Sequence, residues 1–326
     1  MSSLDVLPAN ALREDHVAVG CAMATRVTVR IPLDSCGETL PSDASADAIG
    51  VFKEVDAACT RFDETSPLMR ANRSPQHWHS VPKILFRAVE EAKRAYDETH
   101  GLFDPRVLRD LVALGYVRTL PFGSEDLVVN AVSRPAFEPR EPWRPRFRPR
   151  ALELALGPQP IDLGGIGKGL AVRWAGEALS ATTPDYLIDA GGDCYCAGHM
   201  ADGTPWSIGV EDPFAPSQPV ATLLLTDRAA TTSSIRLRRW IANGRRVHHL
   251  IDPRTGQPGG RGLMSVTVVG KDPARAEVWS KALFIAGRAR IAELARRRAI
   301  AALWVDEDGA CSISAAMERY VQWRRQ

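Results

Sequence analysis

Apolar residues recur at close to alternate positions between Cys21 and Pro32 (Ala24, Val27, Val29, Ile31), the pattern of a half-buried strand. The period then lengthens. Ile49, Phe52, Val55, Ala58 and Phe62 predict a helix within Ser45 to Phe62. Leu85, Ala88, Val89, Ala92 and Tyr96 predict a second from Ile84 to Tyr96, and residues 105–116 keep a helical spacing. Beyond residue 150 strand-like runs dominate, near 152–156, 185–190, 206–210, 220–226 and 263–269, with helices at 168–180 and 274–287. A last helix over 288–298 and a strand over 300–305 follow.

Residues 1–17 show neither period and read as a flexible arm, which leaves 18–326 for the folded domain. A helical N-terminal part and a strand-rich C-terminal part are joined by 134–150. Prolines at 135, 139, 142, 145 and 149 rule out a helix or a central strand there, so an extended surface connector is expected. Arg144, Arg146 and Arg148 beside Trp143 and Phe147 invite a nucleic-acid reading. A solvated linker in an arginine-biased chain explains them more simply, and a formal charge of +2 gives no basic footprint, so no nucleic acid is expected.

An apolar content of 45% and a charged content of 25% are those of a soluble globular protein. No continuous apolar run suggests a signal peptide or a transmembrane helix, and no membrane insertion is expected. Cys194 and Cys196 sit at alternate positions that one strand places on one face, as small core residues. Without a second close pair, a zinc site or disulfide framework is not expected, and a reducing, cytoplasmic setting follows.

The chemistry concentrates in Ile161 to Val172, which reads Ile-Asp-Leu-Gly-Gly-Ile-Gly-Lys-Gly-Leu-Ala-Val. An apolar run turns through four glycines into a helix start, where bare N–H groups and the helix dipole favour a phosphate. Lys168 adds a positive charge. Gly169 stands where a Walker A loop needs Ser or Thr, so this is not that motif.

Further motifs follow a fixed order. They are Ala22-Met23-Ala24-Thr25, the run Cys59 to Leu68 closing on Asn72, and Thr99 to Pro105 containing Asp104. After the glycine turn come Leu187 to Asp193 with Gly191-Gly192, Ala230 to Ser234, His249 to Gly256, and Ala276-Glu277 before Ala282-Leu283-Phe284. This series, with G-G-I-x-K-G at 164–169 and H-x-I-D-P-x-T-G at 249–256, resembles the FAD:protein FMN transferase family over about residues 20–306.

The resemblance implies a two-lobed α+β, T-fold-like architecture with FAD in the cleft and a magnesium ion at the FAD diphosphate. It implies transfer of the FMN half of FAD to a Thr or Ser hydroxyl of a target flavoprotein, with release of AMP. Hydrolysis of FAD to FMN and AMP, and flavin binding without transfer, are the alternatives. FAD contacts are expected from Met23, Thr25, Asn72, Asp104, Asp162, Gly164, Gly165, Lys168, Gly191, Gly192, Thr232 and His249. Metal ligation is expected from the Gly165 carbonyl and Glu277. Asp162 also suits a purely local role, accepting backbone N–H bonds of the turn.

His249 has the intrinsic pKa to take the acceptor hydroxyl's proton near neutral pH. Asp252 either orients His249 or is itself the base. The family places Asp and, four residues later, Thr or Ser on the penultimate helix as metal ligands. Here those positions are Glu277 and Lys281. An ammonium has only donors, so Lys281 cannot ligate a cation. It either contacts the diphosphate directly, paired with Glu277, or its presence abolishes transfer.

Overall fold

The computed structural model describes residues 15–37, 39–118, 127–129 and 139–325. Residues 1–14 of the expected arm and 134–138 of the expected connector lie outside them. Residues 15–17 are not part of an arm: they begin the strand Asp15–Ala22.

Eight antiparallel strands form the main sheet among the described residues. Their order across it is Asp15–Ala22, Thr25–Pro32, Tyr186–Ala190, Asp193–Ala197, Arg228–Ser234, Leu263–Gly270, Ala301–Asp306 and Cys311–Ile313. The helices are α1 (Pro41–Cys59), α2 (Pro67–Arg73), α3 (Lys83–Glu98), α4 (Leu108–Ala113), α5 (Gly167–Leu179), α6 (Pro273–Ala286) and α7 (Arg288–Arg297). Residues of α1, α3 and α5 share one apolar cluster with the strands carrying Val27, Val29 and Ile188. Residues of α6 and α7 cluster with Val266, Val268, Ala302 and Trp304. A three-stranded sheet of Trp206–Glu211, Pro219–Leu225 and Val321–Arg324 covers the opposite face.

The strand Ala301–Asp306 shows why its sequence is apolar throughout. Ala302 and Trp304 meet the helices, whereas Ala301, Leu303 and Val305 meet the second sheet. Period two assigns the faces, and both are buried. Cys194 and Cys196 fall together in the second-sheet cluster, as expected for core residues on one face.

Three local readings differ. The expected strand 21–32 is a hairpin that turns at Met23 and Ala24, with φ of 54° and 55°. Left-handed conformations at two such residues cost energy, and neither is the Asn or Gly that signals this turn. The Met23 N–H donates to Asp56 Oδ2 at 2.7 Å, tying the turn to α1. Residues 139–148 are extended and Pro149–Ala151 form a 3-10 turn, but the stretch is not a surface connector throughout. Trp143 is 1% exposed, its indole N–H donates to the Leu156 carbonyl at 2.8 Å, and its ring meets Tyr96 edge-on. Arg146–Arg148 pairs as an edge strand with Glu153–Ala155, and Arg146 and Arg148 both stack on Trp78.

The strand Arg228–Ser234, helix α2 and the hairpin Arg239–Ala242/Arg245–His248 escaped the sequence reading. They are short or polar, and Arg228–Ser234 offers Ala, Thr and Ser where an apolar period would be sought.

Candidate functional site at the glycine turn

Helix α5 starts at Gly167 and has no side-chain N-cap. The Gly167 N–H donates to the Leu163 carbonyl at 2.8 Å and the Gly169 N–H to Glu277 on α6, which among the described residues leaves the Lys168 N–H of the first turn to a ligand. The turn before it is fixed by Asp162. Its Oδ1 accepts from the Gly164 N–H at 2.6 Å, and its Oδ2 pairs with Arg61 Nε at 3.0 Å. Asn72 lies beneath. Its amide donates to the Ile161 carbonyl and accepts from the Ile161 N–H, both at 2.9 Å, which pins the segment entering the turn. Asp104 is buried and spent on the Arg106 backbone and guanidinium. Asn72, Asp104 and Asp162 therefore hold the site's frame, with their polar atoms directed at protein partners.

Gly169 answers why no Ser or Thr stands there. A Cβ at this position would come within 2.6 Å of both Ala274 Cα and the Pro273 carbonyl oxygen. The first turns of α5 and α6 meet backbone to backbone, and only glycine permits it. That approach lets Glu277, on α6 and 0% exposed, accept from the Gly169 N–H at 2.7 Å through Oε2. Its Oε1 accepts from Lys281 Nζ at 2.9 Å, one helical turn along.

Two hairpin ends border the turn. The methyl of Met23 lies 3.1 Å from the place a Cβ on Gly167 would take. Gly191, at φ 65°, packs against Thr25 so closely that a Cβ would collide with its hydroxyl. Gly192, at φ 91°, faces open space, and its N–H donates to Asp189 Oδ1 at 2.8 Å. Lys168 ion-pairs with Asp193 Oδ2, and Asp193 Oδ1 accepts from the Thr232 N–H at 3.0 Å. The Thr232 hydroxyl bonds that of Thr267. Burial works against the Lys168 ammonium, but Asp193 and Glu277 outweigh it and hold its pKa above the ordinary lysine value.

His249 is half-buried, and its Nδ1 lies 3.3 Å from the Arg238 carbonyl oxygen. A carbonyl only accepts, so the Nδ1 carries the proton and Nε2 is a bare lone pair. Burial, and then the charges of Arg238, His248 and Lys281, push its pKa well below the usual 6.5. The ring is neutral at pH 7. Asp252 does not orient it: both carboxylate oxygens bind Arg254, and Oδ1 also accepts the Arg254 N–H. A local loop contact wins over the longer reach to the imidazole.

The sequence reading missed Asp193, although it quoted the residue within a motif. An acidic residue directly after a Gly-Gly turn and alongside a buried lysine was the available signal. It also missed Arg61 and Arg238, for which single-chain spacing offers no signal.

Residues 23–304 match the sequence profile of the ApbE family. The chain belongs to the ApbE family. It is 26% identical over 297 residues to the FAD:protein FMN transferase of Haemophilus influenzae, covering 86% of this chain and 84% of that one. A FAD:protein FMN transferase of Klebsiella pneumoniae is 32% identical over 151 residues, 45% of this chain and 46% of that one. The ApbE protein of Thermotoga maritima superposes with a TM-score of 0.79 at 24% identity, covering 96% and 100% of the two chains. The flavin transferase ApbE of Vibrio cholerae gives 0.72 at 22% identity, covering 94% and 99%.

The magnesium ion that the resemblance implies does not fit the residues present. Both Glu277 oxygens are committed, one to Gly169 and one to Lys281. Among the described residues no group of three or more His, Cys, Asp or Glu could hold a metal ion. A divalent ion about 4 Å from the Lys281 ammonium would meet a repulsion of about 8 kcal/mol at an effective dielectric near 20. Ser280, the nearby hydroxyl, is buried and turned to Ser233 at 2.7 Å, while also donating to the Glu277 carbonyl. The described residues contain no helix long and apolar enough to cross a membrane.

Proposed function

We propose that this chain transfers the FMN moiety of FAD to a Thr or Ser hydroxyl of a target flavoprotein and releases AMP. The reaction moves a phosphoryl-linked group, so the protein's task is to position two partners and neutralise charge. The glycine turn offers the Gly165 and Lys168 N–H groups and the α5 dipole to the diphosphate, the N–H groups of Gly164, Ile166, Gly167 and Gly169 being spent on protein acceptors. The open Gly191-Gly192 turn and the Met23–Thr25 hairpin end border it and suit the remainder of FAD.

The acceptor oxygen attacks the FMN phosphorus. A new P–O bond forms as the bond to the AMP oxygen breaks. His249 Nε2 takes the hydroxyl proton, and AMP leaves as a phosphate monoester with the bond's electron pair. The single observation that supports this role is the tautomer: Nδ1–H faces the Arg238 carbonyl, and the ring is held neutral. Family membership, and the transferase names of the relatives, support the substrate and the reaction. Six free cysteines accord with a reducing, cytoplasmic setting.

Incubating the protein with FAD and a candidate acceptor tests the reading. Covalent flavin on the acceptor with AMP in equal amount is the expected result. AMP with free FMN instead assigns hydrolysis, and unchanged FAD at saturation assigns binding alone.

A further inference from the structure

Helix α6 carries a cation at the glycine turn that the family's chemistry does not require. Lys281 runs along the turn: its Cδ and Cε lie 3.4 and 3.6 Å from the position of a Cβ on Gly165. Phe103 Cε2 stands 2.9 Å from the same point, so the absence of a side chain at 165 makes room for the lysine stem. The ammonium spends one of its three donors on Glu277 at 2.9 Å, and among the described residues the other two have no partner. The side chain is 14% exposed, enough for its head to meet a ligand. Lys168, the other lysine here, is already paired with Asp193. Glu277 cannot drift away to free a metal site, because its second oxygen holds the Gly169 N–H inside the α5–α6 contact.

We infer that the Lys281 ammonium, held by Glu277, replaces a divalent cation as the charge that meets the FAD diphosphate, so that flavin binding and cleavage proceed without metal. This rests on the flavin reading above and deepens it. An ammonium with two free donors binds phosphate oxygens by charge-assisted hydrogen bonds, which do for a diphosphate what a bridging ion does. The ion pair sets the geometry: Glu277 fixes where the ammonium stands, and the Gly165 backbone fixes where its stem runs.

The test uses the purified full chain in EDTA and in millimolar Mg²⁺, with FAD affinity by calorimetry and AMP release as separate readouts. Affinity and rate within about twofold of each other in the two buffers are expected. FAD binding or AMP release that appears only with Mg²⁺ overturns the inference. Lys281→Met should weaken FAD binding in EDTA by about tenfold or more, and Lys281→Arg should restore most of it. The double variant Glu277→Asp, Lys281→Thr supplies two oxygen ligands on one helical face and should bind FAD more tightly with Mg²⁺ than without. Equal FAD affinity in wild type and Lys281→Met overturns the inference. A folded wild-type chain that binds no FAD in either buffer overturns the flavin reading, and this inference with it.

Discussion

His249 combines a fixed tautomer with a proton affinity lowered by burial and by positive neighbours. Those two features belong together in a base that must be empty before reaction. His249→Ala should leave FAD affinity nearly intact and reduce transfer by about 10²-fold. Unchanged turnover in that variant would remove the residue from the chemistry. The depressed pKa also fixes a sign. The base stays deprotonated as pH falls through 6.5, so the rate under saturating FAD should hold its plateau below that value. An inflection at or above 6.5 in kcat, assigned to this residue by its loss in the alanine variant, would contradict the assignment.

At the scale of elements, two contacts decide where the site stands. The α5–α6 crossing depends on Gly169. Alanine there gains about 1 kcal/mol in helix propensity. Its methyl would press on Pro273 and Ala274 backbone atoms that cannot rotate away, an overpacking cost of about 1–3 kcal/mol. Gly169→Ala should therefore lower stability and weaken FAD binding together; a variant more stable than wild type would show the crossing to be loose. The second contact is Trp143. A surface connector would tolerate Trp143→Ala within about 0.5 kcal/mol. A buried indole with a satisfied N–H predicts a loss of about 3–5 kcal/mol, read from denaturant melts. Sequence periodicity located α1, α3, α5, α6 and α7 and the apolar strands, because each buries a stripe or a face. It passed over Arg228–Ser234 and α2, whose register comes from neighbouring strands and from Asn72 gripping Ile161. The glycine turn, His249, Glu277 and Lys281 were legible as motif positions. The partners that set their states were not: Asp193 on Lys168, Arg238 on His249 and Gly169 on Glu277 are tertiary facts.

Across the whole molecule, helices on one face of the main sheet set the site: α5 and α6 carry the glycine turn and Lys281, while His249 follows the separate hairpin Arg239–Ala242/Arg245–His248, whose His248 ring packs edge-on against Phe284 of α6. Burying neutral imidazoles beside that site ties stability to pH. Burial pushes His248 from 6.5 down to about 4, and its Nδ1 accepts from the Leu250 N–H. Between those pH values the unfolded chain binds a proton that the folded chain does not. Stability is full above about 6.5 and falls as pH drops toward 4. Thermal melts between these limits should show that decline, and His248→Gln should make it shallower while leaving the share that His249 contributes; an unchanged slope would place the acid sensitivity elsewhere. The account stands most directly on one measurement, the intact mass of a candidate acceptor flavoprotein after incubation with this protein and FAD. The predicted result is a gain of one FMN that disappears when the acceptor's Thr or Ser is replaced by Ala. An acceptor of unchanged mass, with FAD bound but whole, would contradict it.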